Sequence, residues 1–161
     1  LSATEQACRY VDAWLGGLTR PLVTLTVRQQ DTHPDRNSDL GEWRRFAAWL
    51  EGGNRYAVWI DDTHVALGNG RGYAELSPDL RLALYERAGM NLIGNNGPQM
   101  LLQFSTANYL CFGQALTSEW AKHFKTFHAL SVGDQLPWAH DRQRLVYKPD
   151  TFENLVEEYQ W

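Results

Sequence analysis

The chain has 161 residues, of which 43% are hydrophobic, and a formal net charge of −4. That is the length of one ordinary domain with enough apolar mass to build a core, while the acidic balance argues against a nucleic-acid or anionic-membrane surface. No apolar run approaches the ~20 residues of a bilayer span, and no signal-peptide pattern opens the chain.

In chain order, Ser2 and Glu5 fit a capping box, followed by Ala7, Val11, Trp14, Leu15 and Leu18 at helical spacing; Pro21 forbids continuation. Leu22 to Val27 reads as a buried strand, and Gln29 to Ser38 as a polar loop. Asp39 and Glu42 can cap a second helix with Leu40, Trp43, Phe46, Ala47 and Leu50 on its apolar face, ended by Gly52 and Gly53. Tyr56 to Ile60 is a second strand, and Asp61 to Ser77 a long polar stretch. Ser77 before Pro78 is a strong helix start, with Leu80, Ala83, Leu84 and Ala88 inward. Met90 to Ile93 is a third strand, Gly94 to Pro98 a turn, and Gln99 to Ser105 another helix start. Asn108 to Phe112 is a fourth strand. Trp120, Phe124 and Phe127 mark a helix capped by Ser118, and Arg144 to Tyr147 an edge strand. A last helix, capped by Asp150 and Glu153, turns Phe152, Leu155, Val156 and Tyr159 inward. Cys8 and Cys111 read as buried small hydrophobes rather than a disulfide, and the expected location is cytoplasmic.

Strands alternating with helices predict an α/β, Rossmann-like three-layer sandwich around a mostly parallel sheet, with all four apolar strands central. Ligands in such folds bind beyond the carboxyl ends of the strands. The loops after Val27, Ile60, Ile93 and Phe112 are therefore the ones to examine.

The first loop carries Arg28, at the end of a buried strand, and Arg36; a guanidinium there can fork onto a phosphate or carboxylate. Asp31 or Asp35 can accept a proton or pair with an arginine. The loop Gly94-Asn95-Asn96-Gly97-Pro98 precedes a helix, whose free amides suit phosphate, and Gly97 allows close approach or a tight turn. It is neither a P-loop nor a dinucleotide fingerprint. Weaker candidates are Asp61, Asp62 and His64 for ribose or a metal, although a solvated turn explains them as well. His123 and His128 read as packing or surface residues, and His140 and Asp141 lack metal-ligand spacing. Trp138, after Pro137, is the tryptophan expected to line a pocket.

The run from Leu84 through Gly89-Met90-Asn91-Leu92-Ile93-Gly94-Asn95-Asn96-Gly97-Pro98 resembles the helix, strand and loop of the C-terminal domain of GT-B glycosyltransferases, in particular the heptosyltransferase-like group. In that group the loop reads roughly Asp-Ser/Thr-Gly-Pro-x-His; here Asn95 stands at the Asp position and Met100 at the His position. Val23 to Asp31 is similar to the arginine-bearing phosphate loop of fucosyltransferase-like members, and the whole pattern resembles glycosyltransferase-like proteins of bacterial surface-polysaccharide loci. The resemblance implies one Rossmann-like domain, the C-terminal half of a two-domain protein whose N-terminal half binds the acceptor. The opening Leu1, rather than Met, agrees with a piece of something longer. It further implies a nucleotide-sugar donor held by Arg28, Arg36, Asn95, Asn96, Gly97 and Gln99, without metal or cofactor, and no sugar transfer by this half alone. The alternative is a non-catalytic module that binds a nucleotide, a sugar or a protein. A small hydrolase or phosphatase is a third option, but no nucleophile stands beside a base.

Overall fold

Among the described residues, five short runs form strands: β1 (Leu22–Gln29), β2 (Tyr56–Thr63), β3 (Met90–Ile93), β4 (Tyr109–Cys111) and β5 (Gln143–Leu145). The computed structural model describes residues 1–31, 33–63 and 77–161, with the backbone alone at 61–63 and 127. The strands pair in the order β2-β1-β3-β4-β5, every pair parallel. The expected α/β sandwich with a parallel sheet is therefore present. One placement needs correction: β2 is an edge strand, not a central one, because β1 binds β3 along its other side. Its Ala57, Val58 and Ile60 are nonetheless buried, so burial did not report position in the sheet.

The helices are α1 (Glu5–Leu15), α2 (Leu40–Gly52), α3 (Pro78–Arg87), α4 (Gln99–Gln103), α5 (Ser118–His128) and α6 (Phe152–Gln160), with a 3-10 turn at Pro34–Arg36. None is long and apolar enough to cross a membrane, among the described residues. Alternation along β1 divides the core. Val23, Leu25 and Val27 join Trp43, Phe46 and Leu50 of α2 and Leu155 of α6. Leu22 joins the other layer, with Ala7 and Val11 of α1 and Ala83, Leu84 and Tyr85 of α3. Leu25, Val27 and Leu92 are fully buried, each contributing roughly 1.5–3 kcal/mol. On the α1–α3 side β1 also carries Thr24, whose hydroxyl bonds Asn91 Oδ1 at 2.6 Å, and Thr26, 3.0 Å from the Tyr85 hydroxyl. These pairs satisfy polar groups that would be costly to bury alone.

Asp39 caps α2 and Ser77 caps α3, as expected. Three other caps are threonines. Thr4, not Ser2, caps α1 by accepting from Ala7 N, while its own N–H and hydroxyl donate to Asp79 of α3. Thr117 rather than Ser118 caps α5, and Thr151 rather than Asp150 caps α6. Asp150 instead accepts from the indole of Trp43, and Glu42 accepts from the backbone of Phe152, so two expected caps tie α2 to the start of α6. Contacts between helices decided these roles.

Candidate functional site

The order β2-β1-β3-β4-β5 puts a topological switch between β1 and β3, where the chain leaves neighbouring strands in opposite directions. The loops after β1 and β3 therefore flank one crevice. It is small, about 230 Å³, and is lined by Asp35, Arg36, Asn37 and Ser38 after β1 and by Gly94 and Asn95 after β3. Gly113, Thr117 and Trp120 complete one wall beyond β4, with Asp150 beyond β5.

Arg36 bridges the two loops. Its Nη2 donates to the backbone oxygen and to Oδ1 of Asn95, both at 2.9 Å, and its guanidinium lies 4.8 Å from the centre of the Trp120 ring. Nε is buried and has no hydrogen-bond partner. No carboxylate lies within ion-pair distance of it among the described residues. Burial first, then the charge of Arg28, pushes its pKa down. An arginine does not lose its proton in practice, so this direction marks a positive charge short of compensation. Trp120 also donates its indole N–H to Asp35 at 2.9 Å, which holds the Asp35 carboxyl below the usual carboxylate range. Asn95 Nδ2 donates to the backbone oxygen of Gly113 at 3.3 Å. The three loops and α5 are thus joined through side chains.

Arg28 and the 95–98 loop are at the same end of the sheet, as the sequence suggested. Their roles in the local bonding differ. Arg28 is buried, and one of its terminal nitrogens donates to His33 O at 2.9 Å and to Asn37 Oδ1 at 2.6 Å, holding the loop after its own strand. Asn96 is buried with both side-chain polar atoms unpartnered. α4 begins at Gln99 as expected, but the Gln99 amide is already bound to Asn96 O at 3.3 Å. Gly97 has neither a left-handed backbone angle nor any atom within 4 Å of an added Cβ. The glycine that close packing demands is Gly94, where a Cβ would stand 2.8 Å from Ser38 Oγ. Ser38 Oγ itself accepts from Arg28 N at 3.1 Å, so Gly94 lets the two loops meet.

Trp138, expected to line a pocket, is instead exposed, stacked on Phe104 at 5.3 Å, with its N–H on Gln103 O. His123 and His128 are exposed on α5, and His140 accepts from Arg142 N while its other nitrogen faces Thr106 O. Both cysteines are free, and Cys111 is buried. The candidates Asp61 and Asp62, by their side chains, and His64 altogether lie outside the described residues. Trp120 was the residue most completely missed. Its one local signal was the loop from Phe112 to Thr117, which follows β4 and leads into the helix that carries it; its approach to Arg36 left no mark in the sequence. No protein-family model, curated protein or solved structure matches the chain.

Proposed function

We propose that the crevice beyond β1, β3 and β4 binds a phosphate-bearing ligand, and that this chain is the nucleotide-sugar-binding half of a GT-B-type glycosyltransferase. The observation that carries the reading is Arg36: a half-buried guanidinium at the switch point, bonded to a neutral asparagine and a π face, with Nε unpartnered. A phosphoryl oxygen supplies the negative charge and the acceptor that such a group lacks. Asp35 and Asp150 each have one hydrogen bond from an indole, which leaves lone pairs for sugar hydroxyls. A volume of about 230 Å³ accommodates part of such a ligand, below the roughly 300–1,000 Å³ of complete small-molecule sites, which accords with a site shared with a second domain. Arg36 would stabilise the diphosphate as it leaves with negative charge; the base and the acceptor site belong to the other half.

One observation favours the non-catalytic alternative. Both crevice carboxylates are engaged by indoles, and Asp35 is held in its ionised form, a poor base. Calorimetric titration separates the readings from a chain with no phosphate site. A nucleoside diphosphate should bind, and Arg36→Gln should weaken it by about 1.5–3 kcal/mol, the value of a charge-assisted hydrogen bond. Equal affinity in parent and variant overturns the proposal. Sugar transfer by the isolated chain, free of contaminating activity, overturns the half-enzyme reading while sparing the phosphate site.

A further inference from the structure

The opposite end of the sheet holds a larger concavity. A groove of about 520 Å³ opens at the amino-terminal ends of β1 and β3, with Leu22, Trp49, Leu50, Met90 and Tyr159 among its walls. A second cavity of about 560 Å³ adjoins it, sharing Met90, Arg142, Tyr159 and Gln160. The aromatic wall is braced: Trp49 stacks on Phe46 at 5.6 Å, and Tyr159 meets Trp49 edge-on at 5.9 Å. The charged residues lining the first groove are Arg55 and Arg142, with no acid among them. Neither arginine has a carboxylate within ion-pair distance among the described residues. Arg55 donates to Gly53 O at 2.6 Å, and Arg142 is anchored through its backbone N–H to His140. Of the acids in the adjoining cavity, Glu158 is held by Lys148 at 2.8 Å and Arg144 at 3.0 Å, and Asp141 is exposed.

We propose that this groove binds a small amphipathic organic anion, its apolar body against Trp49, Leu50, Met90 and Tyr159 and its carboxylate on Arg142, with Arg55 as a second donor. The volume suits a small molecule, the walls reward burial of hydrocarbon, and the guanidiniums supply a fork that matches a carboxylate. A neutral ligand gains the first two terms alone, and a cation is repelled. The groove lies at the other end of the strands from Arg36, so this site is independent of the phosphate-binding crevice and both can be filled together.

Titration of the full chain with decanoate, with decanol as the neutral control and pyrophosphate as an anion without an apolar body, tests this by calorimetry and ligand-observed NMR. Decanoate should bind saturably in the low millimolar range or tighter. Decanol should bind about tenfold more weakly, the effect of losing one charge-assisted hydrogen bond. Arg142→Ala should bring decanoate down to the decanol level and leave decanol unchanged. The side chain is exposed, so the melting temperature should not move. Trp49→Ala should weaken both ligands, and Arg55→Gln should weaken decanoate alone. Absence of saturable decanoate binding, equal affinity for decanoate and decanol, or parental affinity in Arg142→Ala overturns the proposal. Pyrophosphate binding abolished by Arg36→Gln but not by Arg142→Ala assigns that anion to the other end and leaves this test intact.

Discussion

At the carboxyl ends of the strands the chain encloses about 230 Å³ with loops that bond to one another through Asp35, Arg36, Asn95 and Trp120. At the amino ends it encloses about 520 Å³ with the last turns of α2 and α6 and tight connections at Gly53–Arg55 and Ala88–Gly89. The difference follows from the connections. A long loop after a strand carries many backbone polar groups that must find partners, so it draws in side chains and closes upon itself. The turns at Gly53–Arg55 and Ala88–Gly89 have few such groups, and the helix ends beside them stand apart and leave an apolar groove, whose rim the longer connections ending at Pro21 and Arg142 complete. Size and polarity thus run in opposite directions along one sheet, and the more polar end is the one suited to phosphate.

The largest effect should come from removing the post beneath the polar end. Trp43 is fully buried, packs edge-on against Phe112 at 6.2 Å and bonds Asp150. Trp43→Ala should cost about 3–5 kcal/mol in urea unfolding, and should loosen the crevice far more than the amino-end groove. Retained stability would mean that the crevice is not built on this contact.

Gly94 and Gly97 provide the next contrast, within one loop. Gly94→Val forces a Cβ toward Ser38 Oγ, 2.8 Å away, and should destabilise by roughly 1–3 kcal/mol, as overpacking does. Gly97→Val meets open space and should change stability by no more than about 0.5 kcal/mol. If the loop touches the ligand, the same Gly97 variant lowers nucleoside diphosphate affinity at an unchanged melting temperature. A large loss of stability there would show the loop to be merely a tight turn.

Arg28 and Arg36 separate loop-building from the proposed ligand-binding at the same end. Arg28 is buried and bonded to His33 and Asn37. Arg28→Ala should therefore lower both stability and phosphate affinity, by about 1.5–3 kcal/mol for the charged hydrogen bonds, and Arg28→Lys should restore only part because an ammonium cannot fork. Arg36→Gln should lower affinity with little change in the urea midpoint. Identical behaviour of the two variants would erase the distinction.

The smallest effect is in pH. Asp79 is held below its ordinary value by the Thr4 hydroxyl and amide, Asp12 by hydrogen bonds from Arg87, and Glu42 by the Phe152 amide. Folded-state pKa values depressed in this way contribute stability that is present above the unfolded values of about 4 and lost as pH falls through the folded ones. Melting temperatures should be flat from neutral pH down to about 5 and decline below about 4. Because Asp12 is exposed and Asp79 and Glu42 are only partly covered, the decline should be shallow and reduced by salt. A fall on the alkaline side in the same range would contradict the assignment.

Much of this could be read from the residues, because it depends on neighbours along the chain. Hydrophobic period and length separated Leu22–Val27 from the helix after it, Ser77-Pro78 marked a helix start, and repeated alternation implied a parallel sheet, whose carboxyl-end loops supplied the candidate site. Arg36 and Asn95 were legible as candidates because each follows a strand. What the tertiary structure decided was whatever depends on partners distant in sequence. It moved β2 to the edge through the pairing of β1 with β3, and it gave Asp150 to Trp43 and left the α6 cap to Thr151. It made Gly94 rather than Gly97 the close contact, and brought Trp120 over Arg36 from 84 positions away. Local propensity and periodicity act within a few residues and survive in the sequence. Hydrogen bonds and packing between elements depend on where the sheet order sets them, and no local pattern encodes that.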